Sequence, residues 1–166
     1  MAKAKLEKSS DLVGKKAPKF KAKDQNNKTR SLNDFTGSYL LLYFYPKDMT
    51  PGCTTQACNF RDAAKELKKL GVEVVGVSCD SVEDHQKFIK KHDLNFTLLA
   101  DTDKEIVNQY GVWTEKSMYG RKYMGIQRDS FLIDPKGKIV KHYVKVKPAV
   151  HIDEVINDLK ELKTTA

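Results

Sequence analysis

No stretch of this 166-residue chain stays apolar for more than the seven residues from Tyr39 to Tyr45, far short of the ~20 that a bilayer-spanning helix needs. The sequence therefore has no place for a membrane span. Its lysine-rich start runs on into polar and charged residues with no apolar block, which does not read as a secretory signal, and a cytoplasmic location is expected. Cysteine is scarce. Three cysteines in a chain that stays inside the cell make no disulfide framework and read as reduced thiols with chemical or packing roles. Arginine is scarce against lysine, 4 to 26, so the basic excess supplies diffuse attraction with few of the planar forks used in specific nucleic-acid recognition. The four histidines (His85, His92, His142 and His151) show no ligand spacing, and no two cysteines have the two-residue gap of zinc or dithiol motifs. Neither a metal nor another cofactor is expected.

What is present suits one compact domain, with 40% hydrophobic residues. The net charge of +8 is uneven: residues 1–23 hold eight lysines against Glu7 and Asp11, which leaves the remaining 143 residues near +2. We divide the chain into a lysine-rich arm, residues 1–16, and a folded domain, residues 17–166. The arm is expected to be mobile or loosely docked up to about residue 13.

Lys19–Lys23 and Lys28–Ser31 flank Asp24-Gln25-Asn26-Asn27, the turn chemistry of a short hairpin, and Leu32–Phe35 makes one further turn. Tyr39–Tyr45 reads as a central strand buried on both faces. Residues 54–69 place Ala57, Phe60, Ala64 and Leu67 at helical spacing, with Gly71 closing the helix. Strand 73–78, helix 82–92, strand 97–100 and a short helix 104–110 continue the alternation, which implies parallel pairing with helices on both faces. Residues 130–133 and 139–144 flank Asp134-Pro135-Lys136-Gly137 as an antiparallel hairpin. A last helix over 148–163 carries Val150, Val155, Ile156, Leu159 and Leu162. The fold class is thus α/β, a central mixed sheet with an N-terminal hairpin.

Cys53 falls where a Pro/Gly-rich loop turns into a helix. Unpaired N–H groups and the positive end of the helix dipole favour an anion there, so the position suits a nucleophilic thiolate. The spacing of Pro46, Thr50 and Cys53, within Thr50-Pro51-Gly52-Cys53-Thr54-Thr55-Gln56-Ala57-Cys58-Asn59-Phe60-Arg61-Asp62, resembles the peroxidatic loop of peroxiredoxins, and more narrowly their Q-type or bacterioferritin comigratory branch. Gly76-Val77-Ser78 with Asp80-Ser81, Met118-Tyr119-Gly120, Tyr123-Met124-Gly125-Ile126 and Arg128 with Phe131-Leu132-Ile133-Asp134 extend the resemblance over nearly the whole domain.

That resemblance implies a thioredoxin-like fold and a thiol-dependent peroxidase. It implies that Cys53 attacks a hydroperoxide and that Thr50 hydrogen-bonds the peroxide. Arg128 would support thiolate and transition state, Pro46 would shield the site, and the Gly52 and Cys53 amides would hold the distal oxygen. It further implies that Cys58 resolves the sulfenic acid as an intramolecular disulfide, that thioredoxin or a similar dithiol recycles it, and that the protein is a monomer. Five residues of ideal helix separate Cα atoms by roughly 8.6 Å, beyond the ~7 Å a disulfide spans, so such a bond requires unwinding of residues 53 to about 60. A one-cysteine enzyme served by an external thiol, a basic binding protein and a redox-regulated chaperone are the competing readings. Cys79 is expected to be a packed structural thiol, with resolution as its reserve role. Trp113 and the Met118–Met124 cluster are expected in the core, with a place in the site wall as their alternative. Asp129 departs from the Ser or Thr of the family, and strand alternation turns it to solvent, away from Arg128.

Overall fold

A computed structural model describes residues 12–165, so most of the lysine arm lies outside the described residues. Strands β1 (Lys21–Asp24) and β2 (Thr29–Ser31) form the N-terminal hairpin, and a 3-10 turn, Leu32–Phe35, leads to β3 (Tyr39–Phe44). Helices α1 (Pro51–Asp62) and α2 (Ala64–Lys69) precede β4 (Val72–Ser78); α3 (Val82–His92), β5 (Thr97–Ala100) and α4 (Glu105–Gln109) follow. The chain ends with β6 (Trp113–Met118), β7 (Arg121–Ile126), β8 (Ser130–Ile133), β9 (Ile139–Tyr143) and α5 (Pro148–Thr165).

Seven strands make one mixed sheet in the order β2-β1-β5-β4-β3-β8-β9, parallel between β3, β4 and β5 and antiparallel elsewhere. The two parallel crossovers move along the sheet in the same direction, and right-handed crossovers of that kind deliver their helices to one face. Alternation in β3 separates two core layers. Leu40, Leu42 and Phe44 pack with Val75, Val77 and the apolar side of α4. Leu41, Tyr43 and Tyr45 pack with Cys53, Ala57, Phe60, Phe88, Val155 and Leu159 from α1, α3 and α5.

Three features differ from expectation. The expected helix over 54–69 starts earlier, at Pro51, whose missing N–H costs nothing in a first turn, and it kinks at Ala63, where φ −92° and ψ 8° leave the helical region. Residues 113–126 form a separate two-stranded hairpin whose base joins the core, with Ile126 buried and Trp113 packed against it, while its tip does not: Tyr119 is 97% exposed and Met118, Tyr123 and Met124 are also exposed. In α5 the inward position next to Ala149-Val150 belongs to His151, which is fully buried, while Val150 faces solvent. Among the described residues no helix is long and apolar enough to cross a membrane. Residues 14–17 bond to the β8–β9 hairpin through Gly14 N–H to the Ile139 carbonyl and Ala17 N–H to the Gly137 carbonyl, both 2.8 Å.

Candidate active site

The Tyr45 amide still donates to the Val77 carbonyl, at 3.1 Å; Pro46 follows and cannot continue the ladder. A tight turn then delivers Thr50 as the extended N-cap of α1, with Pro51 in the first turn. The Thr50 hydroxyl donates to the Lys47 carbonyl at 2.8 Å, which leaves its lone pairs free to accept. Gly52 and Cys53 lie in the first helical turn, where backbone N–H groups have no partner within the helix.

Cys53 is 1% exposed on the α1/α5 side of the sheet. Arg128, in the loop between β7 and β8, reaches it across 75 positions of sequence: Nη2 lies 3.4 Å from Cys53 Sγ and Nη1 donates to Gln56 Oε1 at 2.8 Å. Gln56 stands three residues after Cys53, on the same helix face, and is itself buried. Its Nε2 and the Tyr43 hydroxyl are buried without a hydrogen-bond partner. Glycine at position 52 has a local reason, since a β-carbon there would sit 3.1 Å from Arg128 Nη2. The structure thus brings Cys53, Arg128 and the first turn of α1 together, with Thr50 at its N-cap and Pro46 at the end of the preceding strand.

Cys58 is half-buried in the same continuous helix, and all three thiols are free. Cys79 packs against the opposite core layer from Cys53. Burial, with Asp101 nearby, pushes its thiol up to about 11. The sheet lies between it and Cys53.

Asp129 corrects another expectation. It is fully buried and does not face solvent, because β8 begins only at Ser130 and strand alternation does not govern the preceding loop. Its carboxylate accepts from Lys145 N–H at 2.9 Å, from Gln127 Nε2 at 3.0 Å and from His142 Nε2 at 2.8 Å. With those donors spent on Asp129, Arg128 remains free to face the thiol. An open depression of about 450 Å³ lies beside Arg128 and is lined by Lys116, Tyr123, Gln127 and Lys145. Burial and the positive charge of Arg128 lower the Lys116 ammonium from its usual value.

Sequence reasoning also missed a polar knot upstream of α1. Asp48, Asp80 and His85 bring potential ligand atoms close together. Both ring nitrogens of His85 are engaged, however: Nδ1 with Asp48 Oδ2 at 2.6 Å and Nε2 with the Leu99 carbonyl at 2.9 Å. The imidazole is spent on hydrogen bonds and is not presented to a cation.

The AhpC/TSA family model matches residues 13–142. Peroxiredoxin Bcp of Escherichia coli is 52% identical over 149 residues, 90% of this chain and 96% of that one. Peroxiredoxin Bcp of Bacillus subtilis is 45% identical over 150 residues, again 90% and 96%. Among solved structures, PrxQ of Xylella fastidiosa superposes with a TM-score of 0.86 at 34% identity, over 91% of this chain and 96% of its own. The bacterioferritin comigratory protein of Xanthomonas campestris, described for alkyl peroxide reduction, superposes with a TM-score of 0.81 at 38% identity, over 86% and 90%.

Proposed function

The chain belongs to the AhpC/TSA family and is a peroxiredoxin, a thiol peroxidase with a thioredoxin-like fold, and from that premise we propose that Cys53 is its peroxidatic nucleophile and Cys58 its resolving thiol. One observation carries the reading: a buried thiol in the first turn of a helix, with an arginine Nη2 3.4 Å from its sulfur.

The thiolate of Cys53 attacks one oxygen of a hydroperoxide. The O–O bond breaks, the other oxygen leaves with the electron pair and takes a proton, and Cys53 becomes a sulfenic acid while the peroxide becomes water or an alcohol. Charge develops on sulfur at the start and on oxygen at the end. Arg128 faces the sulfur, and the Gly52 and Cys53 amides of the first helical turn receive the departing oxygen. Thr50 Oγ1, whose proton is committed to Lys47, accepts from the peroxide O–H. Pro46 closes the entrance to water.

Cys58 then attacks the sulfenic sulfur, and the hydroxyl leaves as water as the disulfide forms. With both cysteines in one helix, the bond requires the first turns of α1 to unwind, because the ideal helical separation of roughly 8.6 Å exceeds the ~7 Å limit. Thioredoxin or a similar dithiol supplies two electrons by disulfide exchange. Hydrogen peroxide and organic hydroperoxides are the substrates, a reading supported by the alkyl peroxide reduction of the Xanthomonas relative. We take the working unit to be a cytoplasmic monomer built on residues 17–166, with residues 1–16 as an appended arm. Mass spectrometry of peroxide-treated protein tests the scheme. Cys53→Ser should consume no peroxide, and Cys58→Ser should form the sulfenic acid, and the sulfinic acid under excess peroxide, but no intramolecular disulfide; a Cys53→Ser protein with normal turnover would refute it.

A further inference from the structure

The turn between Tyr45 and Thr50 is held by side chains that the peroxidase chemistry does not use. Asp48 is 5% exposed. Its Oδ1 accepts from the Tyr45 hydroxyl at 2.5 Å, its Oδ2 faces His85 Nδ1 at 2.6 Å, and its own N–H donates to Asp80 Oδ2 at 2.8 Å. Asp80 is held in turn by the Ser78 hydroxyl at 2.7 Å. His85 is fully buried in α3 and bonds the Leu99 carbonyl on β5 through Nε2. A carbonyl only accepts, so Nε2 carries a proton, and a second proton must lie between Nδ1 and Asp48, since two bare acceptors do not approach to 2.6 Å. One side chain on α3 thereby joins the turn after β3 to the middle of the sheet.

The residue after Asp48 shows what this attachment restrains. Met49 has φ 70°, a left-handed conformation unfavourable for a residue with a β-carbon. It sits between two fixed neighbours, Asp48 in the knot and Thr50, whose hydroxyl is tied to Lys47. Releasing Asp48 allows Met49 to relax toward ordinary backbone angles, and the start of α1 loses its fixed origin.

We propose that His85, acting through Asp48, is a positioning residue that pins the Tyr45–Thr50 turn and so sets how readily the first turns of α1 unwind once Cys53 is oxidised. The inference rests on the peroxidase reading above. Two reactions compete for the sulfenic acid. Cys58 thiol converts it to a disulfide and water, whereas a second hydroperoxide oxidises it to a sulfinic acid and is itself reduced to water or an alcohol. Only the first needs unwinding. A tight pin therefore favours fast first oxidation with a folded site and slow resolution; a loosened pin reverses both.

The test compares His85→Leu, His85→Gln and, in the opposite core layer, Val107→Ala as a control for lost stability. The first oxidation is followed by stopped-flow fluorescence of the single tryptophan, Trp113, and the ratio of Cys53–Cys58 disulfide to Cys53 sulfinic acid by mass spectrometry under excess hydrogen peroxide. His85→Leu should slow the first oxidation by about tenfold, less than the roughly 100-fold that a 1 Å misplacement of reacting groups can cost, and raise the disulfide share. His85→Gln, which keeps a donor toward Asp48, should fall between Leu and His. Val107→Ala should lower thermal stability and leave the product ratio unchanged. If His85→Leu does not fold, Tyr45→Phe loosens the same carboxylate without leaving a charge unpaired and is expected to shift the ratio the same way. A parent chain in which peroxide never oxidises Cys53 overturns the peroxidase reading. An oxidising chain whose product ratio ignores His85→Leu and Tyr45→Phe, or follows Val107→Ala equally, overturns this inference alone.

Discussion

Replacing Arg128 by methionine removes the guanidinium that faces Cys53 Sγ at 3.4 Å and donates to Gln56 Oε1 at 2.8 Å. A hydrogen bond to a charged group is worth about 1.5–3 kcal/mol, and each 1.36 kcal/mol changes a rate by about tenfold. The first oxidation of Cys53 should therefore slow by about 10- to 100-fold, toward the lower end because Arg128 is partly open to solvent. Stability should fall as well. Gln56 is 1% exposed and its Nε2 already lacks a partner, so losing Arg128 leaves the other end of the amide unpaired at a cost of about 1–3 kcal/mol. Lysine at 128 restores the charge but not the two directed donors, and should recover only part of the rate. Stopped-flow oxidation by hydrogen peroxide measures the first effect and thermal unfolding the second. An Arg128→Met protein that oxidises within about a factor of two of the parent would refute the assignment of transition-state support to this side chain.

Gly52→Ala should keep or slightly raise thermal stability, because a first-turn alanine costs the unfolded chain freedom, while its β-carbon displaces Arg128 Nη2 from 3.1 Å and slows peroxide reduction; an unchanged rate refutes the close fit. Gly76→Ala puts a β-carbon 2.8 Å from Leu98 Cδ2 and 2.9 Å from the Tyr43 ring, and such overpacking should cost about 1–3 kcal/mol in denaturant unfolding. Burial lowers the proton affinity of His151, so the unfolded chain binds the extra proton first. Its contribution to stability is present above about pH 6.5, the unperturbed histidine value, and is lost as pH falls toward the folded value. Unfolding free energies between pH 5 and 8 should show that acid limb in the parent and lose it in His151→Leu.

The parallel strands were legible because β3, β4 and β5 are short apolar runs with helices between them, and two-sided burial leaves a strong trace in composition. The hairpin of β6 and β7 escaped for the opposite reason. It is a two-stranded ribbon exposed along most of its length, so no apolar alternation marks it. Its one local signal was Tyr119-Gly120, where φ values of 51° and 78° make the tight turn. Cys53 was legible from its loop, and Arg128 from the family motif rather than from any local pattern. Gln56 could have been found by helical spacing from Cys53. Asp48, His85 and Asp129 could not, because their partners lie 37 and 13 positions away in sequence and only folding brings such buried polar groups together. His151 shows the same limit, since a histidine bonded to Ser130 Oγ at 2.9 Å occupies a position that periodicity would give to an apolar side chain.

Placing Cys79 across the sheet from Cys53 gives the chain a built-in chronometer. An alkylating reagent near neutral pH finds little thiolate at this half-buried group, pushed up to about 11, so Cys79 is modified slowly in the folded chain and faster when its own layer opens. Timed labelling of that one sulfur therefore records the opening of the α4 side of the molecule, while the same samples, digested and weighed, record the chemical history of Cys53 and Cys58. Whether each catalytic cycle disturbs the far half of the protein can then be read from a single tube.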